Sequence, residues 1–459
     1  MIQYYDYPLE TYLSSTISLL NNNTLSLSTL QSHVRKILSV KYDLGLFENP
    51  YIPSHIDSQA LTTSHIGLTL EAAQKSIVLL ENRNATLPLK PEEQGIKKIA
   101  LIGPFSDSLN YGDYSGQFGA IPSSRSSTIR QAISEYIAEN FSDVELVSSW
   151  GVNSWDYNGQ YNIPPYLLSV NGKAGGLLAT YFADTEFKEA VFEQQETPNR
   201  DWGLYPPISN DGISLPSNNF SVVWEGDFIV PVDQEIDGYL GIALGANTTA
   251  KLYIDDNLLL SIPSTTKGNI LSNIPGLAYA QVNSTIPPPG SIPFLFVPNT
   301  TLKIRIEYQA FNTYQKIANV VSLNSQIILF YNLIDTTAPI TKAVSLASTA
   351  DLIILAVGAN WNSDGEGGDR ATLGLSTGQT ELVDEILGLG KKVVTVLQGG
   401  RPFAIPDVYD GSNAVIDAHF PGQSGGRAIS DVLFGVVNPG GRVPVTVPQS
   451  VGTLPVFYK

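Results

Sequence analysis

The sequence predicts an α/β fold interrupted by an inserted all-β domain, and three observations predict it. The short apolar runs KIALIG (98–103) and DLIILAV (351–357) are hydrophobic throughout, as strands buried on both faces of a parallel sheet must be. Helical periodicity lies between and after such runs, in the order of βαβ units. From about Gly175 to Asn332, in contrast, helical spacing fades, Asn, Thr, Pro and Tyr rise, and apolar residues alternate with period two. The α/β pattern then resumes, so the β block is an insertion.

The elements follow in chain order. Residues 25–47 open with Ser28-x-x-Gln31, a capping-box pattern, and Leu30, Val34, Ile37 and Leu38 recur at helical spacing before Gly45 ends the helix. Leu70, Ala73 and Ile77 form a second helical face that runs into the apolar IVLLEN. KIALIG is followed by the polar loop PFSDSLNYGDYSGQFGA, by a helix marked by Ile129, Ile133, Tyr136 and Ile137, and by the strand VELVSSW (144–150). Within the β block the strands are SVVWEGDFIV, GYLGIALGA, AKLYIDDNLLLS, TLKIRIEYQAF and SQIILFYN. Leu302, Ile304, Ile306 and Tyr308 give the alternation of a half-buried antiparallel strand, and the Asp-Asn pair in YIDDNLLL gives a hairpin turn. Such a block is a sandwich or a jelly roll.

After the block come the helix ITKAVSLAS, the strand DLIILAV, an acidic loop, a helix over 378–389, the strands KKVVTVLQ and NAVIDAHF, and the helix GGRAISDVLFG. The acidic loop, ANWNSDGEGGDR, is rich in glycine and sits beyond the carboxyl end of a buried strand, where ligands gather in open α/β sheets.

Composition bounds the function. The 459 residues suffice for two or three domains, and a net charge of −17 argues against a nucleic-acid footprint. No apolar run reaches the length of a membrane span, and MIQYYDYPLE lacks the basic-then-apolar pattern of a signal peptide. There is no cysteine, which removes disulfides and thiolate chemistry, and the four histidines show no metal-ligand spacing, so neither metal nor cofactor is expected. Sequons at Asn22, Asn84, Asn140, Asn219, Asn247, Asn283 and Asn299, with the acidity and low lysine content, point to a secreted glycoprotein.

Several stretches together resemble family 3 glycoside hydrolases of the β-glucosidase type. HVRKILSVKYDLGLFENPY (33–51) is similar to the segment leaving that family's catalytic barrel, and EAAQKSIVLLENRNATLPL (71–89) to the entry into its second domain. FPGQSGGRAISDVLFGVVNPGGRVPVTVP (420–448) resembles the signature near that domain's end. LPVFYK resembles the start of the link to a fibronectin-like domain, and GLLATYF with KLYIDDNLLL resembles the protective-antigen-type sandwich carried by some members. The resemblance implies a three-layer α/β sandwich domain interrupted by an inserted all-β sandwich domain. Its expected boundaries are 1–52 for the barrel's tail and linker, 53–165 and 337–448 for the two parts of the α/β sandwich, 166–336 for the insertion, and 449–459 for the final linker.

The family's enzymes retain anomeric configuration, with a barrel aspartate as nucleophile and a second-domain glutamate as acid/base, a division that needs one carboxyl protonated and the other ionised. Glu366-Gly367-Gly368-Asp369-Arg370 matches the family's E-G-x-D-R-like loop position by position. The resemblance therefore implies Glu366 as the acid/base, with Asp369 and Arg370 shaping the loop. Tyr114, Phe118 and Trp361 stand where sugar-flanking aromatics are expected, while Gly425, Gly426 and Arg427 open a helix and are structural. The nucleophile-bearing barrel has no counterpart: no G-F-x-x-S-D-W-like stretch occurs, and Asp6 in YYDYPLE is a poor substitute. The expectation is thus a β-glucosidase fragment that binds oligosaccharides or glucosides, with no nucleic-acid or membrane partner, from an extracellular parent.

Two other function classes compete. In one, the β block is a non-catalytic carbohydrate-binding module in which Asp255 and Asp256 hold calcium rather than simply turning a hairpin. In the other, GEGGDR binds a nucleotide, but no G-x-G-x-x-G follows a strand and no Walker lysine-hydroxyl pair occurs.

Overall fold

The computed structural model describes residues 8–51, 58–108, 110, 126–152, 163–202, 206–265, 290–311, 325–335, 337–360, 364 and 370–455. The chain divides into two compact units, Met1–Ser64 and His65–Lys459.

The first unit is helical: α1 (Leu9–Asn21), α2 (Leu27–Asp43) and α3 (Ser58–Ser64). The N-cap of α2 is Ser26, whose hydroxyl accepts the Thr29 N–H at 3.1 Å, and not the expected Ser28. Because the helix already starts at Leu27, Ser28 lies inside its first turn and bonds the Ser26 hydroxyl instead. Gly45 closes α2 as expected, with the paired bonds Gly45 N–H to Tyr42 C=O and Leu46 N–H to Lys41 C=O of a Schellman end. No residue of α1 or α2 is buried, and Leu13, Ile17, Val34 and Leu38 stand exposed.

The second unit begins with α4 (Ile66–Ser76) and β1 (Val78–Asn82), followed by α5 (Pro91–Gln94), β2 (Lys98–Ile102), α6 (Ile129–Asn140) and β3 (Glu145–Ser149). The β block supplies β4 (Leu168–Val170), β5 (Lys173–Ala174), β6 (Leu177–Phe182), β7 (Ala190–Glu196), β8 (Asn199–Asp201), β9 (Phe220–Ile229), β10 (Ile236–Leu244), β11 (Thr248–Ile254), β12 (Asn257–Ile262), β13 (Ser291–Phe296), β14 (Thr301–Ala310) and β15 (Gln326–Leu333). The α/β pattern then resumes in α7 (Ala338–Ser348), β16 (Leu352–Gly358), α8 (Thr377–Gly388), β17 (Val393–Gln398), α9 (Pro406–Gly411), β18 (Ala414–Asp417) and α10 (Gly425–Leu433).

Six of these strands form one sheet in the order β1-β18-β17-β16-β2-β3, parallel except for β1. Period-two alternation sends its side chains to two faces. Leu101, Ile354 and Val396 pack on one face with Ala73 of α4, Ile133 of α6 and Ile429 of α10. Ile102, Ile353, Leu355 and Leu397 pack on the other with Ala343 of α7, Leu382 and Ile386 of α8, and Val408 of α9. The result is a helix–sheet–helix sandwich of three layers, and it explains why every residue of β16 is buried.

The β block is antiparallel. One sheet runs β13-β10-β15-β8; the other runs β12-β11-β14-β9, with β9 pairing along one part of its length to β6 and along another to β4. Both sheets contribute to one core, in which Trp202, Trp224 and Tyr308 meet Leu240, Ile242 and Leu329. Glu196 is buried in this core, accepting the Tyr181 O–H at 2.6 Å, the Trp224 indole N–H at 3.1 Å and the Gln194 amide at 2.5 Å. The hairpin between β11 and β12 turns on Asp255 and Asp256, both with positive φ (47° and 64°), and Asn257 is already paired with Ile254. The turn is therefore Asp-Asp and not the expected Asp-Asn, a type I′ geometry that follows the sheet's twist. The block joins the sandwich at Tyr166, which packs against the core of each and accepts the Trp150 backbone N–H at 3.0 Å.

Candidate active site

Strand order decides where a ligand crevice opens. From β16 the chain steps to β17 and β18 on one side, and from β2 it steps to β3 on the other, so the order reverses between β2 and β16. At such a switch point the connecting helices leave on opposite faces, and the carboxyl ends of the two strands part to form a crevice. The loops that leave β2 and β16 are the two in which the sequence puts its candidates.

Tyr114, Phe118, Trp361, Glu366 and Asp369 lie outside the described residues; Arg370 is described. The stems of both loops are described, and they are tightly tied. Asn110, almost fully buried, donates its side-chain N–H to the Ala359 carbonyl at 2.9 Å, and its own carbonyl accepts the Gly422 N–H at 3.4 Å. It thus fastens the β2 loop to the β16 loop and to the loop that follows β18. The buried amide of Gln379, on α8, bonds both backbone groups of Gly358, accepting its N–H at 2.8 Å and donating to its C=O at 2.9 Å. Gly358 has φ 149°, and a Cβ there would lie 1.8 Å from the Gln398 carbonyl, so only glycine fits the end of β16.

Arg370 pairs with Asp364: the guanidinium Nη1 stands 3.0 Å from Asp364 Oδ1, and Nη2 donates to the Gly374 carbonyl. The Asp364 side chain is 0% exposed and that of Arg370 15%. The Asp364 N–H also donates to the Asn360 carbonyl at 2.9 Å. At the loop's exit the Leu373 carbonyl accepts the Ala404 N–H at 2.9 Å.

On the β2 side, Asp107 is buried and accepts the Thr128 O–H at 2.6 Å. Burial raises its carboxyl above the usual carboxylate range, opposed by the nearby Arg130 charge and the Thr128 bond. At the end of β18, burial likewise raises Asp417, opposed by the His419 backbone N–H and the imidazole, whose Nδ1 is 3.3 Å from Asp417 Oδ1. Gly425, Gly426 and Arg427 open α10, and a Cβ on Gly426 would meet the Thr128 carbonyl at 2.2 Å. Arg427 pairs along the helix with Asp431 at 2.8 Å, and Asp431 also accepts the Gln74 amide at 2.7 Å. Among the described residues, no group of three or more His, Cys, Asp or Glu stands together as metal ligands, and no helix is long and apolar enough to cross a membrane.

Residues 77–459 match the model of the glycosyl hydrolase family 3 C-terminal domain. The chain belongs to this family. A protein of Emericella nidulans named "Probable beta-glucosidase J" is 28% identical over 445 residues, which cover 95% of this chain and 48% of that protein. The "Periplasmic beta-glucosidase" of Salmonella typhimurium is 36% identical over 457 residues, covering 98% of this chain and 38% of that protein. The chain therefore spans half or less of the length of these relatives. A β-glucosidase from Kluyveromyces marxianus, solved in complex with glucose, superposes with a TM-score of 0.55 at 19% identity, covering 98% of this chain and 50% of that one. That likeness is one of fold.

The sequence singles out Arg370, and not Asn110, Asp364 or Gln379, as a candidate. Gln379 carried a usable signal: Ser376-Thr-Gly-Gln379 is the spacing of a helix start, and Gln379 does bond the Ser376 hydroxyl at 3.2 Å. Asn110 and Asp364 carried none, since their partners come from other parts of the loops.

Proposed function

We propose that this chain is the acid/base-bearing part of a retaining β-glucosidase that releases terminal β-D-glucose from oligosaccharides or glucosides, as in β-glucan breakdown. The observation that carries the reading is membership of the family combined with the switch point, where the stems of the loops holding Glu366 and Tyr114 are bonded together through Asn110 and Ala359. Glu366 protonates the departing glycosidic oxygen and then takes a proton from water, while a carboxylate of the barrel attacks the anomeric carbon. Trp361, Tyr114 and Phe118 flank the leaving group with their apolar ring faces, and Asp369 helps shape the loop.

The domain boundaries expected above are part of this proposal. Residues 1–52 are the barrel's tail and linker, and the bare apolar faces of α1 and α2 are what helices that pack on a larger body would present. Residues 166–336 form a protective-antigen-type insertion, supported by two antiparallel sheets with one core. The acidic, sequon-bearing composition supports a secreted glycoprotein as parent. The calcium-binding alternative is less favoured, because Asp255 sits in the hairpin turn and its Oδ1 accepts the Lys303 N–H of the neighbouring strand β14 at 3.1 Å.

The experiment is an aryl β-glucoside assay of this chain alone and with the barrel supplied in cis or in trans. Negligible turnover alone, turnover with the barrel, and its loss in Glu366→Gln support the reading. Turnover by the chain alone, or an unaffected Glu366→Gln, contradicts it.

A further inference from the structure

The short run from His419 to Gly422 crosses the carboxyl edge of the parallel sheet, from the end of β18 towards the switch point. Three contacts hold it there. The His419 carbonyl accepts the Gly399 N–H, just past β17, at 2.9 Å, and the Gly422 N–H donates to the Asn110 carbonyl at 3.4 Å. Between them the Phe420 ring lies so close to Gly400 that a Cβ there would meet it at 2.5 Å. Three residues of chain reach at most about 11 Å, so the His419 backbone lies within that distance of the residue that touches Asn110.

His419 has a left-handed backbone, with φ 51°. A residue with a side chain keeps that conformation only where its surroundings impose it, and such residues gather at functional sites. Here its N–H donates to Asp417 Oδ1 at 2.9 Å and its carbonyl is taken by Gly399, so the chain is fixed on both sides of the side chain. The same carboxylate oxygen stands 3.3 Å from the imidazole Nδ1. The ring is therefore oriented by a largely buried carboxylate, yet it is itself 32% exposed, and among the described residues its Nε2 has no partner. An acid beside Nδ1 favours the proton on that nitrogen, which leaves Nε2 an acceptor in the neutral ring and a donor in the charged one. A hydroxyl, being both donor and acceptor, suits either form.

We propose that His419 is a specificity residue that binds a hydroxyl of the departing sugar when the substrate is an oligosaccharide. This inference rests on the β-glucosidase reading given above. The ring stands at the carboxyl edge, where ligands of such sheets bind, on a loop already pinned at three points, so little freedom is lost on binding. A phenyl leaving group carries no hydroxyl for Nε2 to meet.

The test compares a β-linked glucose disaccharide with phenyl β-glucoside on the barrel-containing protein, for wild type, His419→Asn and His419→Gly. Asn and Gly both adopt the left-handed backbone readily, so each removes the imidazole and keeps the loop. One hydrogen bond corresponds to about 3- to 10-fold, and that is the expected loss of kcat/KM for the disaccharide, with phenyl glucoside within about 2-fold of wild type. The loss should lie in KM, as for an interaction made equally in the ground and transition states. An equal loss on both substrates, or none on either, overturns the inference and leaves the β-glucosidase reading standing. A wild type that turns over neither substrate overturns both.

Discussion

Gln379 offers the sharpest test of how the crevice is built. Its amide occupies the place of a strand beside Gly358, beyond the point where β2 stops pairing with β16 at Leu355 and Ile102. Gln379→Leu keeps the volume and removes both bonds, leaving a buried N–H and a buried C=O without partners. Each such group costs about 1–3 kcal/mol, so after allowing for the more apolar side chain the net loss should be about 3 kcal/mol. With a urea m-value of about 3 kcal/mol/M, the unfolding midpoint should fall by about 1 M. Gln379→Glu is the informative companion. Its carboxylate can still accept the Gly358 N–H but faces the Gly358 carbonyl oxygen, so its folded-state pKa should lie above that of the unfolded chain. A raised pKa means that the contribution is present below the unfolded value and lost as pH rises through the folded one. The Glu variant should therefore approach wild type near pH 4 and resemble the Leu variant at pH 7. Equilibrium urea curves at both pH values measure this. A Leu variant within about 0.5 kcal/mol of wild type, the ordinary scatter of neutral substitutions, would refute the reasoning, as would a Glu variant indifferent to pH.

Other outcomes follow from the same structure. Glu196→Ala strands the Tyr181 hydroxyl and the Trp224 indole N–H in the β core, and should cost about 3–5 kcal/mol, seen as a lower urea midpoint of the tryptophan fluorescence transition. Asp107, whose carboxyl burial raises, should make wild type lose stability relative to Asp107→Asn as pH rises through that raised value; paired denaturation curves from pH 4 to pH 8 check the sign. Asp256→Gly relieves a left-handed non-glycine residue in the hairpin turn and should stabilise by about 0.5–1 kcal/mol with no change in glycan binding. Loss of calcium-dependent glycan binding in that variant would instead support the β block as a binding module.

What could be read from the sequence divides along physical lines. Central strands such as β2, β16 and β17 are buried on both faces and announce themselves as unbroken apolar runs, and α4, α6, α7 and α8 announce themselves by period. The strands that went unread by pattern are β4, β5, β6, β7, β8 and β13, of which β5, β7, β8 and β13 lie at the ends of their sheets' pairing. An edge strand has one partner and tolerates polar residues and proline, so β7 reads as AVFEQQE and β13 carries Pro293. The candidate site divides likewise. Arg370 belongs to a local motif and could be found, but its partner turned out to be Asp364, six residues back, and the Asn110–Ala359 bond joins residues far apart in sequence. Contacts of that kind are consequences of strand order, which the sequence does not spell out.

The central claim is that Glu366 is the acid/base of a retaining β-glucosidase. The most direct measurement is azide rescue of Glu366→Ala in the barrel-containing protein, with 2,4-dinitrophenyl β-glucoside as substrate. This leaving group needs no protonation, so the glycosyl-enzyme forms and waits for the base that the variant lacks. The account predicts slow turnover that azide accelerates, with β-glucosyl azide as product. Wild-type turnover without azide, or no azide adduct from an active variant, would contradict it.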